Sequence, residues 1–246
     1  MGIRIIPLSA QQVSAVIHED LDGYIQKMSE VDIRARSNFI TSKAPLAPPI
    51  QSRDEYRDFS AENGTRDFTP TEVGVLEKNA AEISKLLEDS PIFLPQSCME
   101  TQLLANLTVR VGCINSAYES GLPHTRMYDR FPVILIPGAV SSRILLHEMV
   151  HVIQKMLPGA TNAFMTKNAW RPYFHHRELL MKHPLVRINP DTNGISYLRG
   201  EKLPIVVYTS NNPSSPSDSE GCIHLEHPFE EQAYLAERDI FDSPDA

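Results

Sequence analysis

Apolar residues recur at spacings of three and four through Val13, Val16, Ile17, Leu21, Tyr24, Ile25 and Met28. That spacing lines one face of a helix and predicts a single helix running to about residue 36. Ser9 and Gln12 stand where a capping box would start it. Within it, His18 to Ser29 has the loose outline of a calcium loop. The first and last positions lack the Asp and Glu that such a loop needs, so an exposed acidic helix face is expected there. A second stripe, Val73, Leu76, Ala80, Ile83 and Leu87, follows Thr69-Pro70-Thr71-Glu72. Those four residues supply a cap, a proline for the first turn and a glutamate that reaches back, and the helix is expected to stop near Asp89. Between the two helices, residues 41–69 carry Pro45, Pro48 and Pro49 and then few aliphatic residues, which reads as a connector or surface loop.

Beyond residue 100 the period shortens. Residues 107–114 (LTVRVGCI) alternate β-branched and other residues, and 131–136 (FPVILI) form a short apolar run. Both predict strands, as do 195–198 and 204–209. FPVILIP could lie at a sheet edge, where an extended peptide would pair with it, or at the centre. Residues 211–221 read as a loop, and 228–240 as a last helix. Helices first, then strands around one central helix, then a closing helix describe an α+β arrangement.

The central helix starts at Ser141 or Ser142 and ends by Pro158-Gly159. Its sequence around His147 is LLHEMVHVIQK. Ile144, Leu145, Leu146, Met149, Val150, Val152, Ile153 and Met156 make it apolar nearly all round, so it should be buried. Three ionisable residues, His147, Glu148 and His151, are costly in such a helix unless a metal or a partner satisfies them. His147 and His151 are four apart and leave the same face, so their imidazoles can converge on one ion. Zinc accepts imidazole nitrogen readily and keeps one position open in catalytic sites. Glu148 lies too far round the helix to join them and is placed to take a proton from a zinc-bound water.

Two histidines leave zinc short of a ligand. Gln154 and Leu157 stand where an extended form of the motif would have Gly and His, and Leu179 breaks an inverted form in HHRELL. The third ligand is therefore expected from another helix. In EHPFEEQAYLAE (226–237) Pro228 suits a first helical turn, and Glu230, Ala233, Tyr234 and Glu237 share a face. A small residue at Ala233 would let this helix approach the first closely. Glu231 points about 100° away from Glu230, so only one should bind. Glu230 is the choice, with His227 as its rival. Tyr234, His224 and Tyr208 are candidates for stabilising an oxyanion. His175, His176 and His183 read as surface residues of a basic loop, and Cys222-x-His224 as a weak soft pair.

LLHEMVHVIQ together with HPFEEQAY resembles the zincin metallopeptidases, in the gluzincin-like pattern where a glutamate on a later helix completes the site. The resemblance covers about 131–157 and 222–240, and the gap between His151 and Glu230 is long for the pattern. It implies a zincin-like fold, with a small mixed sheet packed on the HExxH helix, a substrate lying against an edge strand, and a C-terminal helix giving the third ligand. With the N-terminal helices read from the apolar spacing, the expected division is an N-terminal helical region over 1–100, including the 41–69 connector and matching no family pattern, and a zincin-like catalytic domain over 101–246. It also implies one zinc ion on His147, His151 and Glu230, Glu148 as base, and hydrolysis of peptide bonds in a protein or peptide substrate. A non-catalytic binding or scaffold protein on the same fold is the alternative, and the intact Glu148 favours the enzyme.

Composition narrows this a little. The chain has 246 residues and a net charge of −8, with 31 acidic against 23 basic side chains, so nucleic acid is not an expected partner. Cys98, Cys113 and Cys222 form no CxxC pair, so reduced thiols are expected. The N-terminus lacks the apolar core of a conventional signal peptide, and no run is long enough for a membrane span. A cytoplasmic protein, or one exported by a leaderless route, is expected.

Overall fold

The computed structural model describes residues 2–43, 49–89, 107–157, 159–221 and 226–242. They are mixed α and β, consistent with the α+β class. A five-stranded sheet holds the centre. Strands β1 (Arg4–Pro7), β3 (Thr108–Ile114) and β5 (Phe131–Ile136) run parallel, while β2 (Thr65–Arg66) pairs antiparallel with the end of β3. Strand β4 (His124–Tyr128) runs antiparallel to β5. The order β1-β3-β5-β4 puts β5 inside the sheet, so FPVILIP is central and β4 is the edge beside it.

Alternation along the strands divides the core, because successive side chains point to opposite faces. Val109, Val111, Ile134 and Ile136 face one cluster, with Leu76, Ala80 and Ile83 of α5 (Pro70–Asp89), Leu146, Met149 and Val150 of α6 (Ser142–Met156), and Ala233 and Ile240 of α9 (Pro228–Phe241). Val133 and Leu135 face the other. That cluster is built from α1 (Ala10–Glu19), α2 (Tyr24–Lys27), α3 (Glu30–Lys43) and α4 (Arg53–Asn63). Gly112 lets α1 close on the sheet, since a Cβ there would meet Val13 Cγ2 at 2.5 Å and Leu135 Cδ2 at 2.6 Å. Ile5 and α5, from before residue 100, share the first cluster with α6, so the expected division at residue 100 runs through one sheet and one core. The remaining segment folds as α7 (Ala160–Lys167), β6 (Trp170–His175), α8 (His176–Lys182) and β7 (Ile195–Arg199), with β6 and β7 paired antiparallel. Short strands β8 (Val207–Tyr208) and β9 (Ser219–Glu220) pair beyond it. Among the described residues no helix is long and apolar enough to cross a membrane.

Two expectations are corrected. The first stripe is not one helix: α1 ends at Asp20 in the left-handed region (φ 46°), and Gly23 (φ 62°) turns the chain into α2. The exposed acidic face expected there is an internal ion cluster. Arg126 of β4 is fully buried and its guanidinium meets Asp20 at 2.6 Å and Asp22 at 2.7 Å, with Tyr118 Oη at 2.5 Å. The second correction is α4, which lies inside the expected connector. Ser52 and Glu55 cap it reciprocally, and Tyr56 and Ala61 bury its inner face.

Removing one partner from a buried ion cluster strands the other charges. Arg126→Met is therefore expected to cost about 3–5 kcal/mol in urea unfolding; a loss under about 1 kcal/mol would contradict this picture. Burial would raise the Asp22 carboxyl, but Arg126 holds it at about 2 against an ordinary 3.8. A depressed carboxylate stabilises the fold fully above its unfolded value and loses that contribution as pH falls through its folded one. Unfolding followed from pH 5 down to pH 2 should show this loss in the wild type, and it should shrink in Asp22→Asn.

Candidate metal centre

The motif helix α6 begins at Ser141, whose hydroxyl accepts from the Ile144 amide at 3.3 Å. It packs between the sheet and α9, and fully buried Ala233 lies at that contact. Helix α9 begins as expected at Pro228, capped by His227, whose Nδ1 accepts from the Phe229 amide at 3.1 Å.

These two helices bring His147, His151 and Glu230 together, with one ligand atom from each within 4.8 Å of the others. His147 Nε2 and His151 Nε2 are 3.1 Å apart, and each lies 3.3 Å from a Glu230 carboxylate oxygen. The far nitrogens explain what sits on the near ones. His147 Nδ1 donates to Glu237 Oε1 at 2.6 Å, and His151 Nδ1 donates to Gln154 Oε1 at 2.7 Å. Gln154 is itself fixed, because its amide nitrogen donates to Phe229 O and Gln232 Oε1, both at 3.1 Å. In their neutral form, with Nδ1 protonated, the imidazoles would turn two Nε2 lone pairs on each other and on a carboxylate. That arrangement calls for a positive charge between them, either a proton or a metal ion. Tetrahedral zinc bonds of about 2.0–2.1 Å require ligand atoms about 3.3–3.4 Å apart; the two Nε2 atoms are 3.1 Å apart, and each is 3.3 Å from a different oxygen of Glu230. The group can hold a metal ion.

A proton can supply that charge: burial alone would depress His147, but hydrogen bonding to Glu230 and Glu237 raises it to about 10, so a metal ion would have to displace this proton. Burial would raise Glu230, yet the two histidines hold it well below the ordinary range. Asn189 Nδ2 donates to Glu230 Oε1 at 2.8 Å and to Glu226 at 3.1 Å, fixing the carboxylate from a third segment.

Glu148 lies outside the triad but lines the same cavity, of about 490 Å³. Thr125 Oγ1 of β4 donates to its Oε2 at 2.8 Å; its other oxygen makes no hydrogen bond among the described residues. Burial pushes its carboxyl up to about 7, with Asp191 adding to the rise against the two histidines. Tyr234 stacks edge-on against His147, with ring centroids 4.7 Å apart, and also lines the cavity. Burial and the nearby Glu230 raise its hydroxyl above the ordinary range.

The rivals are engaged elsewhere. Glu231 receives Trp170 Nε1 at 2.6 Å and the Arg199 guanidinium at 2.6 Å. His227 caps α9, its Nε2 lies 3.2 Å from Ile195 O, and burial lowers it to about 3. Tyr208 donates to Asp32 at 2.9 Å, apart from the triad. His224 and Cys222 lie outside the described residues. His175 and His183 are exposed, whereas His176 is half-buried and burial lowers it to about 4.

The residues that sequence reasoning missed come from distant segments. Thr125, Asn189 and Asp191 carry no periodic signal, and the Asn189-Pro190 pair marks only a turn. His124 was also missed. Its ring is 2% exposed, lies against Tyr24 and Tyr118, and donates from Nδ1 to Leu122 O at 2.9 Å. Its Nε2 has no hydrogen-bond partner among the described residues, and the residue lines the cavity. The edge strand is partly closed: the outward amides of Thr125 and Met127 donate to Asp191 at 3.0 Å and Asp22 at 2.9 Å.

No protein-family model, curated protein or solved structure matches this chain.

Proposed function

We propose that this chain is a zinc-dependent endopeptidase of the zincin kind, with His147, His151 and Glu230 as ligands and Glu148 as general base. The observation that carries the reading is the convergence of two imidazole Nε2 atoms and a carboxylate at 3.1–3.3 Å, beside a second carboxylate, Glu148, held separately by Thr125. Nitrogen and oxygen donors in a three-residue set with room for a fourth ligand suit catalytic zinc. The antiparallel edge strand β4 next to the motif helix fits the layout that the resemblance implies.

Bound zinc would lower the pKa of a water and polarise the scissile carbonyl. The protein's own groups do the rest. Glu148 takes the water's proton on the oxygen that Thr125 leaves free and returns it to the leaving amine. Tyr234 lies where a hydroxyl can donate to the carbonyl oxygen as negative charge develops. Glu237 and Gln154 keep both ligand imidazoles in the tautomer that presents Nε2. Because carboxylates already cap two edge amides, a substrate reaches the cavity through side-chain contacts more than through a long strand pairing.

Proteolysis of an unfolded protein mixture is expected to stop on chelation and return on adding zinc. Cleavage indifferent to chelation would end the reading. Gln154→Leu or Glu237→Ala should weaken zinc binding about 10–100-fold in chelator competition. No change in either variant would mean that the imidazoles are oriented by something else.

A further inference from the structure

A second cavity, of about 880 Å³, lies beyond the wall of the first. The two share that wall: Lys27 Nζ, in the second, donates to the carbonyl of Pro190, in the first, at 3.4 Å. Lys27, Arg34, Arg53 and Arg177 line the groove, over an apolar floor that includes Met28, Leu180 and Leu185.

These cations differ from those that anchor the fold. Arg36, Arg66, Arg126 and Arg199 each pair closely with a carboxylate. Lys27, Arg53 and Arg177 make no ion pair among the described residues, and Arg34 has only exposed Glu30, at 3.9 Å. Arg53 Nη2 donates to Met28 O at 2.8 Å, but its Nε is buried without a hydrogen-bond partner among the described residues. In a chain of net charge −8, acids are plentiful, yet exposed Glu30 is the one carboxylate among the described residues lining this groove, against four cations. A buried donor and unneutralised cations over apolar side chains suit an anionic ligand with apolar groups of its own. A long nucleic acid would also meet the acidic remainder of the surface, whereas a short segment meets the groove alone.

We propose that this groove binds an acidic, partly apolar segment of the polypeptide substrate, as an exosite beside the candidate metal centre. The exosite role rests on the peptidase reading; the capacity to bind an acidic peptide does not.

The test uses a fluorescent twelve-residue peptide of alternating Glu and Leu and the full chain carrying Glu148→Gln. Saturable binding is expected, weakening with added salt and falling about tenfold in Arg53→Gln/Arg177→Gln, with the circular-dichroism spectrum unchanged. Arg53→Lys/Arg177→Lys should restore part of it. No saturable binding, binding indifferent to the double substitution, or equal binding of a twelve-residue oligothymidylate would overturn the proposal. If the peptide binds as expected while the wild-type chain cleaves no protein with zinc, the exosite role falls and the peptide site stands.

Discussion

Glu148→Gln is expected to lower peptide cleavage by about 10²–10⁴-fold while leaving bound zinc unchanged. Glutamine fills the same volume and keeps an oxygen to accept from Thr125 Oγ1, now 2.8 Å from Glu148 Oε2. It therefore preserves the packing of a side chain that is only 4% exposed. What it removes is the ability to take a proton. Glu148 is not among the three residues that converge on the candidate metal position, so zinc content should not follow activity. Single-turnover cleavage and elemental analysis on the same preparation separate the two quantities. A variant that cleaves as fast as wild type would remove Glu148 from catalysis, and one that loses zinc in step with activity would make it a ligand.

Glu230→Ala and Glu231→Ala should have opposite consequences although the residues are neighbours. Loss of Glu230 takes away one of three ligands and is expected to weaken zinc by more than about 100-fold, beyond the effect of an outer partner. Loss of Glu231 leaves Trp170 Nε1 and Arg199 without the carboxylate that now lies 2.6 Å from each. An orphaned buried donor costs about 1–3 kcal/mol, so Glu231→Ala should unfold more easily and bind zinc normally. Chelator competition and urea unfolding on both proteins make the comparison. A zinc defect confined to Glu231→Ala would overturn the assignment.

How far the sequence reveals this molecule depends on whether a feature is local. The motif helix is legible because its four-residue histidine spacing and apolar flanks are written within one element. Helix α9 is legible from Pro228, and Glu230 from its face shared with Ala233. Strand β3 shows through β-branched alternation, and β5 through its short apolar run. By contrast, β1, β2 and β4 are short and gain their stability from pairing partners far along the chain. Asp20 to Gly23 interrupt an otherwise regular stripe because Arg126, on a distant strand, draws two aspartates inward. Helix α4 has a readable Ser52–Glu55 cap, but its polar outer face and the prolines before it resemble a loop. The same limit governs the site. His147, His151 and Glu230 announce themselves by spacing, whereas Thr125 and Asn189 become partners only when the fold brings three segments together.

The central claim is that one zinc ion is held by these three side chains. Crystals grown with zinc and measured on both sides of its absorption edge test it most directly. A single anomalous peak is expected about 2.0–2.2 Å from His147 Nε2, His151 Nε2 and a Glu230 oxygen. No peak there, or zinc bound only by other residues, would contradict the account.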